Sequence, residues 1–140
     1  MKLPTRIILV DDHPIIRECI RFILNRNSDT TVIGEADNGK SAVRIVKKLK
    51  PDVVIMDIML PILNGIEATR QILKLRPNTK IIALSAHFQK VFLKNMLSAG
   101  ACGYVLKDSL YSELLPAISE VKKNKIYISR FLVEKFCILI

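Results

Sequence analysis

Two adjacent carboxylates, Asp11-Asp12, close a short apolar run, Ile7 to Val10, and a third, Asp57, closes another, Val53 to Met56. Two further runs end in a hydroxyl and an amine. Ser85, followed by small Ala86, comes after Ile81 to Leu84, and Lys107 comes after Tyr104 to Leu106. If these run ends share one rim, the carboxylates repel one another strongly there unless a cation compensates. Oxygen-only ligands in so small a cluster suit Mg²⁺, which keeps several waters and accepts one or two carboxylates plus a phosphate. A carboxylate nucleophile, a divalent cation, a hydroxyl and a lysine make a phosphoryl-transfer set. In that chemistry Asp57 attacks phosphorus in line. The metal and Lys107 neutralise the equatorial oxygens, and Ser85 hydrogen-bonds one of them. Taken singly, an Asp at a strand end is usually a turn former or a helix cap, and a lone loop Lys is usually solvated. The signal lies in all five falling at run ends.

The elements that would bring them together are legible from periodicity. The apolar runs, with Thr31 to Gly34 as the second in chain order, read as parallel strands buried on both faces. Between them lie helical stripes: Ile16, Cys19, Ile20 and Ile23; Ala42, Ile45, Val46 and Leu49; Leu110, Leu114, Ala117, Ile118 and Val121. Pro14 suits a first helical turn. Asn38-Gly39 and Asn64-Gly65 suit tight turns that open helices, and Gly100 suits a helix end. The pattern is five β–α units, hence an α/β fold with helices on both faces of a parallel sheet. The expected strand order is 2-1-3-4-5, with ligands beyond the carboxyl ends of strands 1 and 3. Pro116 falls about two turns into the last helix and is expected to kink it. The segment from Asn124 to Ile140 does not fit the five units. Its apolar stretches, Phe131-Leu132-Val133 and Cys137-Ile138-Leu139-Ile140, read first as the start of a linker or a second domain, then as a self-association segment.

The 140 residues suit one domain, and half of them are apolar, enough for a sizeable core. The net charge of +9 is spread out. Its densest groups, Arg44, Lys47, Lys48, Lys50 and Lys122, Lys123, Lys125, read as solvated helix faces more readily than as a nucleic-acid surface. Cys19, Cys102 and Cys137 are far apart and match neither a disulfide framework nor a zinc site. No apolar run approaches membrane-spanning length, and Met1 to Arg6 is too short and polar for a signal-peptide core. A cytoplasmic setting is the expectation.

At residues 5 to 125 the chain resembles the receiver domain of bacterial two-component response regulators, with a flavodoxin- or CheY-like (βα)5 fold. The motifs are Asp11-Asp12, the stretch from Asp57 through Pro61 to Gly65, Ser85-Ala86 and Lys107. The stretches from Val10 through Asp11, Asp12, His13 and Pro14 to Arg17, and from Gly100 through Gly103 and Tyr104 to Asp108, are similar to the NarL/FixJ (LuxR-type) subfamily. The resemblance implies a phosphoacceptor at Asp57. It implies Mg²⁺ on Asp12, Asp57 and the backbone carbonyl of Met59, with Asp11 acting mainly through a water. Ser85 and Lys107 would hold phosphoryl oxygens, and Tyr104 would be the switch aromatic that turns inward as Ser85 moves. Met59 and His87 stand where the family tunes dephosphorylation. His13 reads as structural beside Pro14. Asp108 replaces a frequent proline, which puts a cis bond at that position in doubt.

The implied partner is a sensor histidine kinase or phosphotransfer protein donating from phosphohistidine. A homodimer through the first and last helices, or through the fourth helix, strand 5 and last helix, is implied too. The subfamily acts on DNA through a helix-turn-helix domain, which the 140 residues do not reach. The expected division is therefore a receiver at 1–125 and a tail or linker start at 126–140. The alternative is a stand-alone single-domain receiver acting by protein–protein contact. A haloacid-dehalogenase-like phosphatase would need an acid where Met59 stands. A flavodoxin-like cofactor binder would need a phosphate loop where Asp11-Asp12-His13-Pro14 stands. A phosphorylation-independent module would leave the acidic set without purpose.

Overall fold

The computed structural model describes residues 3–86 and 88–138. Leu139 and Ile140, and the histidine His87, lie outside the described residues, so nothing here bears on the tuning position at His87. The strands are β1 (Thr5–Val10), β2 (Thr30–Ala36), β3 (Val53–Asp57), β4 (Lys80–Ser85), β5 (Gly103–Leu106) and β6 (Tyr127–Ile128). The helices are α1 (Pro14–Asn25), α2 (Gly39–Leu49), α3 (Gly65–Leu75), α4 (Lys90–Ala99), α5 (Leu110–Lys122) and α6 (Arg130–Phe136). All strand pairs are parallel, in the order β2-β1-β3-β4-β5-β6.

The five β–α units and their order match the sequence pattern. The strand count does not: the sheet has six strands, not five. The sixth is a two-residue strand laid along the free edge of β5, where Gly103 pairs with Tyr127 and Tyr104 with Ile128. A strand this short has no period to read, and its stability comes from the edge it covers.

The central strands β1, β3 and β4 are buried on both faces, as their unbroken apolar runs require. One face packs on α1 and α5 through Ile7, Leu9, Ile55, Ile20, Leu24, Leu114 and Val121. The other packs on α2, α3 and α4 through Ile8, Val54, Met56, Val46, Ile72 and Met96. Ile128 and the fully buried Leu132 join this second cluster, with Val133, Phe136 and Ile138 packed against it. Residues 127–136 are thus built into the core. Lys40, Arg44, Lys47, Lys48, Lys122, Lys123 and Lys125 are exposed, as solvated helix faces should be.

Local signals fix the ends that matter to the rim. Pro14 opens α1. The Asn38 and Asn64 side chains accept hydrogen bonds from the Ser41 and Glu67 N–H groups at 2.8 and 3.0 Å, capping α2 and α3. Gly65 lets α3 start hard against the end of β3. A Cβ there would lie 2.0 Å from the Asp57 carbonyl oxygen. Gly100 ends α4 with φ at 110°, a left-handed conformation. Helix α5 runs through Pro116 as a continuous element, and no cis peptide bond occurs among the described residues.

Because Leu132 is wholly buried, Leu132→Ala should cost about 2–4 kcal/mol of stability in urea denaturation. A cost near zero would mean that α6 is a loose appendage.

Candidate functional site

The carboxyl ends of β1, β3, β4 and β5 meet at one rim, and the crossover at β1 and β3 opens a crevice there. Asp11 directly follows β1 and is held from several sides. Its N–H donates to the Ala36 carbonyl at 3.1 Å, and its own carbonyl accepts from Arg17 Nη1 at 2.6 Å. Its Oδ1 accepts from the His13 backbone N–H at 2.8 Å and lies 2.8 Å from His13 Nδ1. Asp57 ends β3, and its Oδ1 accepts from the Ile58 N–H at 2.9 Å. Lys107 follows β5 and reaches across the rim. Its Nζ lies 3.0 Å from Asp11 Oδ2 and 3.5 Å from Asp57 Oδ2. Ser85 ends β4, is 1% exposed, and hydrogen-bonds the Tyr104 side chain. The Tyr104 ring is fully buried.

Burial sets the electrostatics. Asp57 is nearly inaccessible, so desolvation pushes its pKa up, and the Asp11 charge adds to the rise. Lys107 and the Ile58 N–H oppose it, and the balance is a pKa of about 6. One ammonium does not neutralise the group. Asp11 Oδ2 and Asp12 Oδ1 are buried and receive no hydrogen bond. The first has only its ion-pair contact with Lys107, and the second lies 3.1 Å from His13 Nδ1. Asp11, Asp12, His13 and Asp57 offer ligand atoms that all lie within 4.8 Å of one another. Under-satisfied hard oxygen donors around a half-neutralised carboxylate fit a small divalent cation. A groove beside Asp12, bounded by Met59, Leu60, Pro61 and Phe92, opens this corner to solvent.

The structure thus brings Asp11, Asp12, Asp57 and Lys107 together, with Ser85 and Tyr104 on the adjoining strands. Met59 lies on the β3–α3 loop with its side chain exposed. Sequence reasoning missed the role of three participants. His13 touches both neighbouring carboxylates. Arg17 ties the Asp11 carbonyl to Glu35, donating from Nε to Glu35 Oε1 at 2.9 Å. Their spacing along the first helical turn from Asp11 was the available signal. Glu113 is the third: a carboxylate only 8% exposed on α5 that looked like an ordinary polar helix residue.

A doubly wound parallel sheet with three carboxylates opposite a lysine at its switch point defines the class of signalling receiver domains. The profile described as "Response regulator receiver domain" matches residues 7–119, and the chain belongs to that family. It is 42% identical over 120 residues to the uncharacterized transcriptional regulatory protein YxjL of Bacillus subtilis, covering 86% of this chain and 55% of that protein. A two-component response regulator of the LuxR family from Aurantimonas sp. SI85-9A1 superposes with a TM-score of 0.89 at 37% identity, covering 94% of each chain. The isolated receiver domain of RcsB from Salmonella enterica serovar Typhimurium, solved with the phosphomimetic BeF₃⁻, superposes with a TM-score of 0.86 at 26% identity, covering 94% of this chain and 97% of that one. The chain spans about half the length of the curated relatives it matches. It is a receiver domain homologous to transcriptional regulators. Among the described residues no helix is long and apolar enough to cross a membrane.

A carboxyl whose folded-state pKa is raised binds its proton more tightly folded than unfolded, so its ionisation destabilises the fold. The ordinary value is 3.8 and the folded value about 6. Metal-free protein should therefore lose on the order of 2–3 kcal/mol more stability than its Asp57→Asn variant as pH rises from about 4 to about 7. Urea denaturation in EDTA checks this, and equal pH slopes for the two proteins would refute it.

Proposed function

We propose that this domain accepts a phosphoryl group on Asp57 from the phosphohistidine of a sensor histidine kinase or phosphotransfer protein, and converts it into a change of shape that controls an output. The observation that carries the reading is the buried Asp57 carboxylate set between Asp11 and Lys107, 3.5 Å from the ammonium, with Ser85 on the next strand.

Asp11, Asp12, Asp57 and the Met59 backbone carbonyl would hold Mg²⁺. Once bound, the ion supplies positive charge against the phosphoryl oxygens and keeps Asp57 ionised at neutral pH. The other steps belong to the chain. An Asp57 carboxylate oxygen attacks phosphorus in line. The P–N bond of the donor breaks, and its electron pair leaves with the imidazole. Lys107 shifts its charge from the carboxylates towards the incoming equatorial oxygens, and the Ser85 hydroxyl hydrogen-bonds one of them. His13 and Arg17 hold Asp11 in place throughout. Water later cleaves the acyl phosphate and resets the domain. The chain thus catalyses its own modification and turns over no metabolite.

Ser85 and Tyr104 would carry the change of shape, since the ring already bonds the serine. For the output, the relatives' description as transcriptional regulators supports control of transcription through a DNA-binding domain elsewhere in the full protein. The setting would be the cytoplasm. Self-association would use α1 and α5, because β6 takes up the edge of β5. The exposed Phe22 and Tyr111 meet edge to face on that open surface, with ring centroids 6.5 Å apart.

Acetyl phosphate with Mg²⁺ should add one phosphoryl group to the peptide holding Asp57, read by mass spectrometry after borohydride trapping. Asp57→Asn should abolish the mark and leave the fold intact; a mark persisting on another peptide would overturn the assignment. Lys107→Ala should separate the two halves of the function. Modification would persist at a reduced rate, and the spectral change that beryllofluoride causes in the parent protein would be lost. An unaltered spectral change in this variant would remove Lys107 from the switch.

A further inference from the structure

The carboxylate of Glu113 is buried on α5 and takes no part in the phosphoryl site. No lysine, arginine or histidine among the described residues pairs with it. It accepts hydrogen bonds from the Tyr127 hydroxyl at 2.7 Å, from the Arg130 N–H at 2.9 Å and from the Ser129 hydroxyl. Burial alone would raise its pKa, but the bonds from Ser129, Tyr127 and Arg130 outweigh it, and the net shift is downward. These three donors lie between residues 127 and 130; the Ser109 side chain, just before α5, adds a smaller contribution. The three belong to β6 and to the first turn of α6, whose N-terminus Glu113 caps in place of the Ser129 side chain. One carboxylate thus fastens both pieces of the C-terminal segment to α5.

The same segment rests on Tyr104. The Ser129 N–H donates to the Tyr104 carbonyl at 2.8 Å, Ile128 pairs with Tyr104 across the strands, and Ile128, Leu132 and the Tyr104 ring share one buried cluster. On its other side Tyr104 bonds Ser85 at the phosphoryl rim. A continuous set of contacts therefore runs from the rim through Ser85 and Tyr104 to Ser129 and Leu132. The segment itself is slight: a two-residue strand and a seven-residue helix at the edge of the sheet. Elements with so few backbone bonds of their own open locally at low free energy.

We infer that β6 and α6 form a displaceable strap, latched by the Glu113 carboxylate and seated on Tyr104, whose docking and the filling of the Asp57 site favour one another. This rests on the phosphoacceptor reading above. An oxyanion on Asp57 fixes Ser85, Ser85 fixes the Tyr104 ring inward, and the inward ring supports Ile128 and Leu132. By linkage the dependence is reciprocal: a strap that docks poorly must weaken binding at the rim by the same factor that binding tightens the strap. Glu113 is a positioning residue in this scheme and touches no phosphoryl group.

Amide hydrogen exchange on the whole chain, read by mass spectrometry with and without Mg²⁺ and beryllofluoride, tests the strap. In the parent protein beryllofluoride should slow exchange over residues 127–136 at least threefold. Glu113→Gln should speed exchange there at least tenfold without ligand, leave β1 and β3 as protected as before, and weaken beryllofluoride binding severalfold. Tyr127→Phe removes one bond and should give an intermediate effect, and it decides the matter if Glu113→Gln loosens the whole domain. Unchanged exchange over 127–136 in both variants would overturn the latch. Beryllofluoride protection of the Met59 loop without protection of 127–136 would overturn the coupling. Absence of any beryllofluoride effect in the parent protein would overturn the phosphoacceptor reading, and the coupling with it, while the variants still report on the latch.

Discussion

The structure is organised around one electrostatic conflict: carboxylates from two different strands are forced together at the end of a buried sheet, with a single ammonium between them. Asp11 and Asp57 sit almost out of solvent, and Lys107 reaches both. The apolar strands that stabilise the domain also remove the water that would screen these charges. A fold of this kind would discard such a cluster unless an additional positive charge were expected there. The Asp11 and Asp12 oxygens that receive no hydrogen bond have only their contacts with Lys107 and His13 there. The position of Asp57 follows from packing as well as charge. Gly65 is the residue that permits α3 to begin against its carbonyl, and this close start shapes the loop carrying Met59.

On the far side of β5 the same sheet carries a second polar knot. Glu113 is buried without a cation among the described residues, and its three strongest donors come from the segment that follows α5. The two knots differ in kind. The rim is under-satisfied and invites a ligand. The Glu113 site is satisfied, and most of its hydrogen bonds last only while β6 and α6 are docked. Tyr104 lies between them, bonded to Ser85 on one side and paired with Ile128 on the other. A buried aromatic that touches the rim through Ser85 and the C-terminal segment through Ile128 is well placed to couple them.

Much of this was legible in the sequence. Parallel strands buried on both faces leave unbroken apolar runs, so β1, β3 and β4 could be read directly, and the strand ends named Asp11, Asp12, Asp57, Ser85 and Lys107. Helix signals at Pro14, Asn38, Asn64 and Gly100 correspond to observed ends. What escaped depends on contacts distant in sequence. Tyr127 and Ile128 become a strand only because β5 has an open edge, and two residues carry no periodicity. Glu113 is a buried acceptor only because the chain returns over it fourteen to seventeen residues later. Its place on α5 beside apolar Leu114 resembles any helix boundary between core and solvent. His13, next to Pro14, reads from sequence as a structural residue. Its ring instead bridges Asp11 and Asp12, a choice of rotamer that no spacing rule expresses. The apolar stretch Phe131-Leu132-Val133 was visible, but the surface that Leu132 covers was not.

The claim that the crowded carboxylates exist to bind a divalent cation is open to one direct measurement: calorimetric titration of the metal-stripped chain with Mg²⁺ at neutral pH, beside the Asp12→Asn variant. The account predicts saturable one-to-one binding in the parent protein, and at least tenfold weaker binding when the Asp12 charge is removed. Absence of binding in the parent protein, or equal affinity in the variant, would contradict it.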